Sequence, residues 1–232
     1  MTEQLIFDLA APEPPSFAGY VPGSNAEAIA ALRALASGEG AAAVLVLWGA
    51  PGVGKTHLLR AAVGAVEQRG RPAAFVADPG MLLAHDARWL GTRALVAVDA
   101  LETATPAAQA TLFTTFNALQ EHGGRLVAAS RDPLAALALR EDLRTRLASG
   151  LVYEVAALAD GDKPAALAAY ARQRGMHLGN DVIAYLLLHG RRDMATLVRT
   201  LSALDRHSLA TKRPITVALL RGWLQQDIGL GG

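Results

Sequence analysis

The sequence predicts an α/β fold: a sandwich built on a five-stranded parallel sheet, followed by a small all-helical domain. Three observations lead there. Short apolar runs at 43–48, 73–77, 94–98, 126–130 and 151–155 alternate with stretches of helical period, as in a parallel sheet whose crossovers are helices. The junction between the first run and its helix is the glycine-rich stretch Gly49–Thr56. Beyond Asp160 the extended runs stop, and every later segment has helical period.

Composition narrows the function classes. The 232 residues, 52% of them hydrophobic, suffice for one or two domains with a sizeable core. A net charge of +1 gives no broad basic footprint for nonspecific nucleic-acid binding, so any DNA contact is local or borrowed. The absence of cysteine excludes disulfides and thiolate metal sites, and fits a reducing compartment. No apolar run approaches the ~18 residues of a membrane span. The start, Met-Thr-Glu-Gln, lacks a basic signal-peptide region. The expectation is a cytoplasmic protein without a membrane partner.

Taken in order, the chain opens with Gln4-Leu5-Ile6-Phe7-Asp8-Leu9 and then a Pro-containing spacer. Leu5, Phe7 and Leu9 alternate at period two, so an extended backbone puts them on one face. Such a peptide suits docking into an apolar groove on a tether; an edge strand of the protein's own sheet would read the same way. Phe17–Asn25 is loop-like, and Ser24 or Asn25 can cap a helix through Ala28, Ile29, Leu32 and Leu35.

Ala43–Trp48 then reads as a buried strand, and Gly49-Ala-Pro51-Gly52-Val53-Gly54-Lys55-Thr56 fits the phosphate-binding P-loop. Its glycines let backbone N–H groups approach a polyphosphate at the positive end of the next helix. Lys55 would reach the β- and γ-phosphates, and Thr56 offers a hydroxyl to Mg²⁺. His57, one residue on, is more simply a packing residue, but its position keeps it in the candidate set.

The second strand follows Gly70-Arg71-Pro72, and 78–90 reads as helix or loop. The third, Ala94–Val98, ends in Asp99, placed to hold Mg²⁺ through water at the carboxyl ends of the strands. Thr105 and Pro106 open a helix with Leu112, Phe113, Phe116 and Leu119 inward. The fourth strand ends at Ser130, which could bond a phosphate or start a turn. A short helix at 140–147 carries Arg144 and Arg146, and cations there complement its dipole. The fifth strand precedes four helices, Lys163–Arg174, Asp181–His189, Asp193–Ala210 and Thr216–Gln226. The predicted division is therefore 1–15 as peptide and tether, 16–157 as nucleotide-binding domain, and 158–232 as helical domain. The candidate set for ADP or ATP is Gly49, Pro51, Gly52, Val53, Gly54, Lys55, Thr56, His57, Asp99 and Ser130, with Thr56 and Asp99 toward Mg²⁺.

A P-loop αβα domain with a helical lid resembles the AAA+ class, and in detail the bacterial replication initiator DnaA and the Hda family. Phe17–Asn25 is similar to the initiator segment that lies against adenine. Val98-Asp99-Ala100-Leu101-Glu102 resembles the Walker-B stretch, and Asp142-Leu-Arg144-Thr-Arg146-Leu147 the box VII motif, whose second arginine is a finger. The resemblance thus implies that Arg146 enters a neighbouring subunit's site. The chain ends after the lid without a DNA-reading helix-turn-helix, which favours Hda over DnaA. Gln4, Leu5, Phe7 and Leu9 resemble the peptide that docks on the sliding clamp, the β subunit of DNA polymerase III. The family role implied is a clamp-tethered adaptor, touching DNA through the clamp, that stimulates hydrolysis of DnaA-bound ATP and so prevents re-initiation.

Two positions depart from the pattern. Ala100 stands where many relatives carry a second acid, and Ala195 where initiators carry a sensor arginine. Weak hydrolysis by the chain itself is the consequence, with action mainly in trans. Glu102, two residues past Ala100, reads as solvated. Arg191, Arg192 or Arg199 could replace the sensor, though a basic solvated face is simpler. The alternative reading is a helicase-loader or initiator paralogue that binds single-stranded DNA. A monomer, a homodimer and a larger homo-oligomer all stay open.

Overall fold

The computed structural model describes residues 14–190 and 193–229 of the chain. Gln4, Leu5, Phe7 and Leu9 lie outside the described residues, as do Arg191 and Arg192.

Five parallel strands, β1 (Val44–Trp48), β2 (Ala73–Val76), β3 (Leu95–Val98), β4 (Arg125–Ser130) and β5 (Leu151–Glu154), form one sheet in the order β2-β3-β4-β1-β5. Successive side chains point to opposite faces. Leu45, Leu47, Ala97, Val127 and Ala129 meet α1 (Ala26–Ser37) and α2 (Lys55–Glu67) on one side. Val44, Val46, Val96, Val98, Leu126 and Ala128 meet α3 (Ala87–Gly91), α4 (Pro106–Glu121) and α5 (Glu141–Ala148) on the other. Burial on both faces is why β1, β3 and β4 read as continuous apolar runs without alternation.

The ambiguous stretch 78–90 resolves into a 3₁₀ turn, Pro79–Ala84, and α3. Two aspartates break what would otherwise be a single helix. Asp78 accepts from the Gly80 N–H at 2.7 Å and Asp86 from the Arg88 N–H at 2.8 Å, so each starts its own turn. Gly91 then lets α3 lie against α4: a β-carbon there would stand 2.3 Å from that of Ala118.

Four more helices, α6 (Lys163–Gln173), α7 (Asn180–His189), α8 (Met194–Thr211) and α9 (Val217–Gly229), pack around their own core of Leu167, Tyr170, Leu186, Leu197, Leu201, Leu204 and Leu220. Val21, from the segment before α1, packs on this helical core, while Phe17 and Tyr20 pack on the sheet side. No helix among the described residues is long and apolar enough to cross a membrane.

Asn25 stands at the N-cap of α1 but makes no capping bond. Instead its amide clasps the backbone of Ala156 just past β5, accepting from the N–H at 2.8 Å and donating to the carbonyl at 3.0 Å, and it donates to the Tyr20 hydroxyl at 3.3 Å. The residue is 6% exposed, so these bonds have no water to replace them. Asn25→Ala should therefore lower stability by about 2–3 kcal/mol, read as a reduced urea midpoint at unchanged slope.

Candidate functional site

The carboxyl ends of β1, β3 and β4 lie side by side, Trp48 in register with Ser130 and Val98 with Ala128. At this edge the chain leaves β1 through Gly49, Gly52 and Gly54, with φ of 152°, 83° and 99°. Two of these glycines are required by close neighbours. A β-carbon at Gly49 would stand 2.4 Å from the Val155 carbonyl oxygen, and one at Gly54 would stand 2.6 Å from the Tyr20 ring.

Lys55 opens α2 and folds over the loop, its Nζ donating to the carbonyls of Gly49 at 2.5 Å and Ala50 at 2.9 Å. Burial pulls its ammonium below the ordinary lysine range, opposed by the nearby carboxylates of Asp99 and Glu102. The Thr56 hydroxyl donates to Asp99 Oδ2 at 2.5 Å, which brings the two predicted metal-side residues together across the α2–β3 gap.

Pro51, Gly52, Gly54, Lys55, Thr56, His57, Asp99 and Ser130 share one cleft of about 400 Å³. Gly49 and Val53 complete the loop from behind: the Gly49 N–H donates to the Ser130 carbonyl at 3.3 Å, and the Val53 carbonyl accepts from the Tyr20 hydroxyl at 3.0 Å. Of the two roles open to Ser130 in the sequence, the turn is the one made. Its hydroxyl donates to the Asp132 carbonyl at 2.7 Å. His57 Nε2 lies 2.8 Å from the Ser16 carbonyl oxygen. That oxygen can only accept, so Nε2 carries the proton, and burial pulls the imidazole below its ordinary pKa and keeps it neutral. His57 thus ties the segment before α1 to the loop.

The cleft also takes in residues outside the predicted set. Ala100 adopts a left-handed conformation, φ 54° and ψ 46°, and the 3₁₀ turn Leu101–Thr103 follows at once. This reversal sets Glu102 on the cleft rim, where it accepts from the Arg131 N–H at 3.0 Å and stays exposed, as the sequence reading has it. Alanine gives no signal of a positive φ, so periodicity could not have found it.

Arg146 does not line this cleft. It is exposed on the last turn of α5, its guanidinium 5.7 Å from the Phe116 ring centre, with no salt bridge among the described residues. Arg144 is engaged within the fold. It donates to the carbonyls of Leu137 at 3.2 Å and Leu139 at 3.0 Å and pairs with Glu141 at 3.1 Å. The buried amide of Gln109 braces the same region by accepting from the Arg140 N–H at 2.8 Å and donating to the Ala138 carbonyl at 2.9 Å. Ala195 falls in the first turn of α8, and Arg199 donates to Thr196 Oγ1 at 2.9 Å.

Chemically, a glycine cradle, a half-buried ammonium and a hydroxyl–carboxylate pair are what a polyphosphate with a divalent cation requires. The residues present fit that group.

Comparison with known proteins places this geometry. The fold is similar to domain III of the Thermotoga maritima replication initiation protein DnaA, with a TM-score of 0.71 and 19% identity over 91% of this chain and 95% of that one. Residues 160–224 match the family described as the lid domain of Hda. The helical region of this chain is thus Hda-like in sequence, and the chain as a whole has the fold of DnaA domain III. The chain is also similar to AMPPCP-bound DnaA from Aquifex aeolicus (TM-score 0.67, 20% identity, 82% of this chain and 64% of that one). A more distant likeness is to the Thermotoga maritima RuvB Holliday junction branch migration motor (TM-score 0.59, 15% identity, 91% of this chain and 72% of that one). What these structures share with this chain is its fold.

Proposed function

We propose that the chain is a clamp-tethered AAA+ adaptor that stimulates hydrolysis of ATP held by DnaA, leaving DnaA in the ADP form and preventing re-initiation. The observation that carries this reading is the contrast within α5: Arg144 is committed to the carbonyls of its own fold, whereas Arg146 stands exposed outside the chain's own cleft. An arginine so placed can neutralise charge developing on a γ-phosphate in a neighbouring subunit.

In this reading the cleft binds ADP or ATP, with Lys55 and the glycine loop on the phosphates and Thr56 and Asp99 holding Mg²⁺, Asp99 through water. Nucleotide, when bound, would supply the negative charge that Lys55 and the loop N–H groups face, beside the segment whose Tyr20 packs on the sheet side and whose Val21 packs on the helical core. Residues 1–15 form the tether, 16–157 the nucleotide domain and 158–232 the lid. Gln4, Leu5, Phe7 and Leu9 dock on the sliding clamp, which delivers the adaptor to DNA.

The tether is tested by changing Gln4, Leu5 and Phe7 to alanine. The expected result is loss of binding to immobilised clamp, and loss of stimulation of DnaA-bound ATP hydrolysis on clamp-loaded DNA, with nucleotide affinity unchanged. Salt-sensitive binding of single-stranded DNA in the absence of clamp would instead support the helicase-loader or initiator-paralogue reading.

A further inference from the structure

We propose that Gln109 is the positioning residue for Arg146: its buried amide fixes the entry to α5 against the turn that follows Asp99, and so sets where Arg146 projects. The proposal rests on the reading of Arg146 as a finger for a neighbouring subunit, and adds the residue that aims it.

A helix as short as α5 cannot aim a side chain by itself. Its eight residues fall below the roughly 12 that an isolated helix needs to be even marginally stable in water, and its N-cap, Arg140, makes no side-chain capping bond. Direction must come from the fold around it. Leu143 and Leu147, both fully buried, decide which side of α5 faces the core, but apolar contact is non-directional and leaves its tilt open.

The bonds that fix the tilt converge just before the helix. Gln109, on α4 and 4% exposed, accepts from the Arg140 N–H through Oε1 at 2.8 Å, and its Nε2 donates to the carbonyls of Ala138 and Ala104, each at 2.9 Å. Only one orientation of the amide serves these three partners, because the flipped one would set nitrogen against an N–H and oxygen against two carbonyls. Arg144 takes the carbonyls of Leu137 and Leu139 on either side. Ala104 closes the turn Leu101–Thr103, whose Thr103 hydroxyl reaches the Ala100 carbonyl and Asp78 Oδ2 at 2.9 Å, while the Ala100 N–H donates to Asp99 Oδ1 at 2.9 Å. One side chain thus joins the end of that turn to the start of α5. Arg146 lies six residues beyond Arg140, roughly 9 Å along the helix, so a tilt at the entry is passed on to its guanidinium.

The test is Gln109→Met, which keeps the length of the side chain and removes all three bonds, assayed as stimulated hydrolysis of ATP preloaded on DnaA, on clamp-loaded DNA, across a range of adaptor concentrations. A misplacement of about 1 Å costs on the order of 10²-fold in rate, so the plateau should fall by roughly 10- to 100-fold. The half-saturating concentration and the affinity for fluorescent ADP should be unchanged. Gln109→Glu, which can still accept from the Arg140 N–H, should reach a plateau between those of the wild-type chain and Gln109→Met, and it carries the test alone if Gln109→Met does not fold. A merely structural role reads differently, since partial unfolding removes active adaptor: half-saturation then moves to higher concentration and the plateau stays. That pattern, or a wild-type plateau in both variants, would overturn the proposal. Full stimulation by Arg146→Ala measured beside them, or none by the wild-type chain, would bring down the finger reading and the proposal with it.

Discussion

Lys55→Ala is expected to abolish useful nucleotide affinity while leaving the fold intact. The Lys55 ammonium sits over the glycine loop, held by the carbonyls of Gly49 and Ala50. Those bonds transfer readily to phosphate oxygens, and half-burial in a cleft strengthens any charge it meets there. Removing one partner of such a charge pair costs roughly 2–5 kcal/mol, or about 30- to several-thousand-fold in Kd. Arg131 also lines the cleft, but it follows β4 on the far wall and is exposed. The variant loses the two bonds from Lys55 to the loop carbonyls, while the bonds from Gly49 to Ser130 and from Tyr20 to Val53 still tie the loop to the fold. Titration with fluorescent ADP checks the affinity. A thermal scan checks the fold: saturating ADP should raise the wild-type Tm and leave that of the variant where it stands. Near-wild-type affinity in the variant would contradict the cleft assignment.

The sequence made the architecture legible wherever burial imposes a period. The runs 43–48, 94–98 and 126–130 are buried on both faces, and so read as strands from hydropathy alone. The stripe of Leu197, Leu201 and Leu204 on α8 is the same signal at helical period. Motif spacing likewise gave the loop and its partners: Thr56 and Asp99, far apart in the chain, meet as their positions on α2 and at the end of β3 required.

What escaped was set by single residues whose conformation no period encodes. Ser24 or Asn25 was expected to cap α1; Asn25 holds the N-cap position but clasps Ala156 instead, a contact between segments distant in the chain. The left-handed turn at Ala100, which sets the still-exposed Glu102 on the rim of the cleft, carries no mark in the sequence. The stretch 78–90 was ambiguous because two local Asp turns compete with a helix of the same composition.

Arg146→Ala is the second variant with a large expected effect. Arg144 and Arg146 are two residues apart on α5, about 200° around a helix, so both cannot face the fold. Arg144 faces inward and Arg146 outward. Among the described residues, truncating Arg146 forfeits its contact with the Phe116 ring, worth about 0.5–1 kcal/mol at an exposed site, so folding, nucleotide binding and clamp binding should survive. Arginine fingers contribute roughly 10³–10⁵ in rate, and that is the loss expected in stimulated hydrolysis. Arg146→Lys should recover little of it, since a point ammonium lacks the planar fork of a guanidinium.

The decisive measurement is the single-turnover hydrolysis rate of ATP preloaded on DnaA, in the presence of clamp-loaded DNA, with the intact chain and with Arg146→Ala. The account predicts acceleration by the intact chain and a near-basal rate with the variant; full acceleration by the variant, or none by the intact chain, would contradict it.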